Sequence, residues 1–123
     1  MGITTAILRV REHRKAAKFA GVEFLVDSGA VYSVVPEKVL DELDIEPYKE
    51  IRFLLADGTT LKRRVSSAYF EFDGEGGPVP VLHGEEGDSA LFGAITLGSI
   101  GLVLNPFTRT LHPMRMLMAG LKR

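Results

Sequence analysis

The chain has 123 residues, 46% of them apolar and 25% charged, with a formal net charge of −1. A chain of that length makes one ordinary domain with a real core. With no cysteine, no tryptophan and only 8% aromatics, it excludes disulfide scaffolds, Cys-ligated zinc or iron–sulfur sites, thiol nucleophiles and a base-stacking platform. The near-zero charge creates no field to gather nucleic acid or anionic lipid.

No basic region precedes the short apolar stretch at the N-terminus, so no signal peptide is expected. Ala6 stands where a myristoylation motif headed by Gly2 needs Ser or Thr. Ala6, Leu8 and Val10 alternate with Ile7, Arg9 and Arg11, which predicts a half-buried strand. The charged stretch Arg11–Lys15 predicts a hairpin turn, and Phe19–Val26 a second strand antiparallel to the first. Asp27-Ser28-Gly29-Ala30 comes next, followed by the β-branched and aromatic run Val31–Val35. Pro36 then opens a short helix, with Glu37 in its first turn and Val39, Leu40 and Leu43 on one face.

Beyond Pro47 the pattern returns to strands. Ile51–Leu55 and Leu61–Phe72 flank Asp57-Gly58, a strong hairpin signal. Asp73–Gly77 predicts another turn, and Val79–Leu82 a short strand that Pro80 places near an edge. His83–Asp88 is expected to be an acidic loop. Leu91-Phe92-Gly93 leads into a helical turn, Gly101–Leu104 and Thr110-Leu111 predict two more strands, and a Met-rich tail ends the chain. Seven or eight short strands with one or two short helices make a mostly-β fold. Ser89–Thr108 is the longest uncharged window, yet its glycines, Thr96, Ser99, Asn105 and Pro106 suit strand, turn and helix in a globular core, not a membrane span. A cytoplasmic location is the expectation.

A weak internal echo is present. Phe24-Leu25-Val26 runs into Asp27-Ser28-Gly29 and later a helix, and Leu91-Phe92 runs into Gly93 and then Ile95–Ile100. The second copy has no acidic residue beside its glycine.

Asp27-Ser28-Gly29 carries the chemistry. A strand ending in Asp holds the carboxylate at a fixed turn, expected to be buried, where desolvation and neighbours tune it. Ser28 can hydrogen-bond across the site, and Gly29 lets main chain approach where a side chain would block it. Two such carboxylates side by side share one proton, so one activates a water while the other hydrogen-bonds the substrate carbonyl. The bland alternative is an Asp turn bonded to its own backbone, and such a triplet arises by chance in about one chain in twenty of this length. His13, His83 and His112 have no metal-ligand spacing and read as surface or loop residues; there is no Gly-x-Ser-x-Gly elbow for a serine triad. Arg9, Arg11, Arg14, Lys15 and Lys18 read as a solvated face, not a nucleic-acid site, and Met114, Met116 and Met118 as core or seam.

In context the triplet resembles that of the retropepsin-like aspartic proteases, the single-domain retroviral type. The matching residues are Phe24–Ala30, Val34-Val35-Pro36, Ala56–Thr59, Leu91–Ala94 and Gly101–Pro106 with Arg109 and Leu111, spanning about positions 3 to 113 in the family's order. This resemblance implies a closed β-barrel over residues 1–113, a tail at 114–123, and a homodimer in which Asp27 of each chain forms the catalytic dyad. It further implies that Ser28 and Gly29 support the two active-site loops and that Ala30 lines the floor near the scissile bond. Ala56, Asp57 and Gly58 would form the flap over an extended peptide substrate bound as an added strand. No metal, cofactor, nucleic acid or membrane enters this reading. The implied activity is endoproteolysis; the alternative is a non-catalytic homodimeric peptide-binding module on the same barrel.

Overall fold

The computed structural model describes residues 3–105 and 107–113. The elements run β1 (Thr5–Arg11), β2 (Ala20–Val26), β3 (Ser33–Pro36), α1 (Glu37–Glu42), β4 (Lys49–Leu54), β5 (Thr60–Phe72), β6 (Glu75–Gly84), β7 (Leu91–Phe92), α2 (Ala94–Ser99), β8 (Leu102–Asn105) and β9 (Thr110–Pro113). With 52% strand and 11% helix the chain is mostly β, with nine strands among the described residues where seven or eight are expected.

The first two strands pair antiparallel from Thr5↔Leu25 to Val10↔Ala20. Their connection is longer than the turn expected at Arg11–Lys15 and runs to Phe19, whose ring lies under the Arg9 and Arg11 guanidinium groups at 4.7 and 5.1 Å. Arg11 Nε also donates to Glu71 Oε1 at 2.7 Å, and Lys18 Nζ to Asp44 Oδ2 at 2.5 Å. These cations therefore serve contacts within the chain.

Strand pairing runs β1-β2-β7-β3-β6-β5-β4, and β5 also returns to β1 through Arg9↔Glu71 to Arg11↔Tyr69, giving a ring of six strands with β4 outside it. The thinnest part of the ring is β7. It pairs parallel with β2 at Leu25↔Leu91 and Val26↔Phe92, and antiparallel with β3 at Val34↔Leu91. The two copies of the internal echo thus lie side by side. β8 and β9 form a separate two-stranded sheet.

Inside the ring, Phe24, Phe70 and Phe92 stack with centroids 5.4 to 6.2 Å apart, surrounded by Leu8, Val10, Val35, Val79, Val81 and Leu102, all fully buried. Leu8 and Val10 face inward while Ile7 and Arg9 face water, as period-two alternation demands. Leu40 of α1 and Leu43 just after it are buried, and Val39 packs half-buried against the core. Pro36 ends β3 and caps α1, a place where a missing N–H does no harm.

β6 is longer than the strand expected at Val79–Leu82, and it takes in His83 and Gly84. Pro80 opposes Ser67 of β5, while the parallel pairing to β3 begins only at Val81, so at Pro80 the strand is paired on one side. The uncharged window Ser89–Thr108 is divided among β7, α2 and β8, and no helix among the described residues is long and apolar enough to cross a membrane. The tail expected at 114–123 lies outside the described residues.

Candidate active site

β2 delivers Asp27 into a turn held by backbone on both sides. The Asp27 N–H donates to the Phe92 carbonyl at 3.0 Å, and the Asp27 carbonyl accepts the Ala30 N–H at 3.1 Å. Asp27 Oδ1 accepts the Gly29 N–H at 2.9 Å, an Asx turn that orients the carboxylate. The expectation of a buried carboxylate is corrected here: Asp27, Ser28 and Gly29 are exposed, because among the described residues of the single chain nothing packs over this turn. Ala30 is half-buried, and its carbonyl accepts the Ala94 N–H at 2.7 Å.

Gly93 makes this crossing possible. A Cβ at Gly93 would lie 2.6 Å from the Tyr32 carbonyl oxygen and 2.9 Å from that of Ala30, closer than any side chain tolerates. The next N–H groups, of Ala94 and Ile95, donate to the Ala30 and Val31 carbonyls, so the start of α2 is satisfied by the segment that follows Asp27. Ser33 and Thr96 complete the junction. The Gly93 N–H donates to Ser33 Oγ at 2.9 Å, and Ser33 Oγ lies 2.5 Å from Thr96 Oγ1, both side chains fully buried. The sequence reading missed this brace; nothing local links a Ser and a Thr so far apart in the chain.

The predicted hairpin is formed by β4 and β5. Its turn closes with the Leu55 N–H donating to the Thr59 carbonyl at 2.8 Å and with Gly58 at φ +87°. Asp57 Oδ1 accepts the Thr59 hydroxyl at 2.6 Å and its N–H at 2.9 Å, bonds that hold the carboxyl below its ordinary value. Ala56, Asp57 and Gly58 sit at the exposed tip. A contact between Tyr32 and Phe53, edge-on at 6.3 Å, links β4 to the segment after Asp27.

A cleft of about 370 Å³ is lined by Val34, Phe53, Leu54, Leu55, Leu61, Leu82 and Leu91 together with the polar Arg63, His83, Asp88 and Ser89. Of the residues expected to bind substrate, Ala30, Ala56, Asp57 and Gly58 are absent from this lining, as is Asp27. The apolar run Phe53-Leu54-Leu55 just before the turn is the local signal for this lining.

His83 overturns its expected place in a loop. It lies in β6, 1% exposed, with Nε2 2.5 Å from Ser66 Oγ. Its Nδ1 has no hydrogen-bond partner and lies 3.8 Å from Glu37 Oε1. Burial above all, and then the Arg64 charge, hold the imidazole below its ordinary value, while Asp41 opposes them. Ser66, His83 and Glu37 thus fall in triad order, but Ser66 is 0% exposed and no substrate carbonyl can reach it.

A model of the aspartyl protease family matches residues 18–99, a span narrower than the resemblance read from about 3 to 113. It includes Asp27-Ser28-Gly29, the hairpin and Leu91-Phe92-Gly93. Comparison with the curated proteins found no match. The match takes in most of the chain, and the fold around it is mostly β. The chain therefore belongs to an aspartyl protease family of the retropepsin-like type.

Proposed function

We propose that the chain is an aspartic endopeptidase that acts as a homodimer, each chain contributing Asp27 to one dyad on the two-fold axis of a barrel-like fold. One observation carries this reading: the Asp27 carboxylate is fixed by main-chain bonds yet open to water. A positioned, uncovered carboxylate gains acid–base power when a second one faces it, because two adjacent carboxylates cannot both ionise and share a proton. Family membership supports proteolysis as the reaction.

In this mechanism an extended peptide lies between the turn and the β4–β5 hairpin. The ionised carboxylate takes a proton from water, and the protonated one donates a hydrogen bond to the scissile carbonyl. Water oxygen adds to the carbonyl carbon while that second carboxyl passes its proton to the carbonyl oxygen, giving a neutral gem-diol. The proton taken from water then passes to the amide nitrogen, the C–N bond breaks, and a gem-diol hydroxyl returns its proton to the second carboxylate, which restores the singly protonated dyad. Ser28 and Gly29 hold the loops, Ala30 forms the floor, and Ala56–Gly58 cover the substrate.

Asp27→Asn tests this directly. It is expected to abolish cleavage of a denatured-protein or peptide-library substrate while leaving the circular dichroism spectrum and sedimentation behaviour unchanged. Activity near that of the parent would overturn the mechanism.

The second reading, a peptide-binding module, is favoured by one feature: the cleft lining omits Asp27. A statine-type mimic of the tetrahedral intermediate separates the two, since a plain groove has no reason to prefer it over the parent peptide.

A further inference from the structure

Among the described residues, His83 Nδ1 is the buried side-chain polar atom without a hydrogen-bond partner. Leaving such a group unpaired costs free energy in this state, and a second state that pairs it would recover that cost. Its surroundings indicate that state. Nδ1 faces Glu37 Oε1 at 3.8 Å, too far for a hydrogen bond and near enough for strong attraction once the ring is charged. The same oxygen, Oε1, is already the ion-pair partner of Arg64 Nη2. One carboxylate oxygen of α1 therefore stands between a cation on β5 and a neutral ring on β6.

The groups facing the ring come from every side. Ser66 and Arg64 come from β5, and Glu37 and Asp41 from α1. Val35 of β3 is its apolar partner in the parallel ladder. Beyond β6, the turn to β7 carries Glu85 and Asp88, and these are engaged by Arg63 at 3.5 and 3.3 Å. Arg64 has an alternative too: Glu50 of β4 lies directly opposite it in the β4–β5 register, on the same face.

We infer that His83 is a positioning residue that works as a proton-controlled clamp, passing Glu37 from Arg64 to itself when it is protonated and so uncoupling the β4–β5 hairpin from α1. With the ring neutral, the Ser66 hydroxyl donates to Nε2, Nδ1–H stays unpaired, and Glu37 ties α1 to β5 through Arg64. On protonation Nε2–H donates to Ser66 Oγ, whose own proton turns away, and Nδ1–H draws Glu37 Oε1 into a charge-assisted bond. Arg64 then turns to Glu50 within the hairpin. The proton comes from solvent and no covalent bond changes. His83 also lines the cleft, together with Phe53, Leu61 and Arg63 of the hairpin, so the clamp adjoins that cleft. The consequence for substrate closure rests on the protease reading, whereas the clamp itself does not.

The test uses the intact chain. Imidazole carbon-bound protons are followed by NMR from about pH 8 to about pH 4, and the His83 signal is assigned by its loss in His83→Gln. Glu37→Gln is expected to weaken proton binding at His83 on the order of tenfold, and Arg64→Gln to strengthen it. Protection of the Thr60–Arg64 amides, corrected for intrinsic exchange at each pH, is expected to fall severalfold as His83 becomes charged, whereas Glu37→Gln, which has no tie to release, is expected to show low protection and no such step. A His83 midpoint indifferent to Glu37→Gln overturns the proposal, as does hairpin exchange that ignores the His83 charge. Because Glu37 is partly exposed, its variant will fold even where His83→Gln does not. Failure to cleave any peptide would count against the protease reading alone, since neither readout needs a substrate.

Discussion

The Phe92 carbonyl accepts the Asp27 N–H at 3.0 Å, so the end of β7 holds the start of the Asp27 turn. One residue further on, Gly93 presses its main chain against Tyr32 and Ala30. The carboxylate is positioned by a junction between two segments distant in sequence.

Gly93→Ala forces a Cβ to 2.6 Å from the Tyr32 oxygen, where the obstacle is backbone and cannot swing away. The expected loss is about 3 kcal/mol or more in urea unfolding, from overpacking and the displaced strand. A loss near that of an exposed glycine substitution would mean the junction relaxes freely.

Ser33→Ala removes the acceptor of the Gly93 N–H and the partner of Thr96 Oγ1. Leaving those buried groups unpaired is expected to cost about 1–3 kcal/mol. Thr96→Val should cost less when added to Ser33→Ala than alone, because the two share one bond. Denaturation of the full double-mutant cycle measures that coupling.

If two Asp27 carboxylates make one site, the active species is bimolecular. Specific activity should then fall on dilution through the dimer dissociation constant and recover on concentration. Sedimentation in the same buffer should track the loss. Activity that stays constant in a monomeric chain would remove the shared dyad.

Stability should depend on pH through His83, whose proton affinity in the fold is lowered by burial. Between the folded value and the ordinary one near 6.5, the unfolded chain binds more protons, so unfolding becomes easier as pH falls. His83 is therefore fully compatible with the fold above about pH 6.5 and opposes it increasingly below. His83→Gln should flatten the urea-midpoint profile between about pH 5 and about pH 7.

The hairpin turn behaves in the opposite acid range. Asp57 is held below its usual value by the Thr59 hydroxyl and N–H, so its contribution to the turn is present above about pH 4 and lost as pH falls further. Thr59→Val should raise the Asp57 titration midpoint measured by carboxyl-carbon NMR. An unchanged midpoint would show that the hydroxyl bond is not formed in solution.

Local pattern by itself determined a good deal of this protein. Alternation placed Leu8 and Val10 in the core, Asp-Gly marked the hairpin tip, Pro36 marked the entry to α1, and Asp27-Ser28-Gly29 with Leu91-Phe92-Gly93 pointed to the family. Each of these signals lies within a few residues and reflects side-chain period, φ preference or a missing N–H, which are properties of the chain itself. Only the tertiary structure decided the rest. It left the Asp27 turn exposed, joined Ser33 to Thr96 through Gly93, lined the cleft with Phe53, Leu61 and Leu91, and buried His83 beside Ser66 and Glu37. Those facts depend on which distant strands become neighbours, and burial and hydrogen-bond partners exist only after the ring of strands has formed.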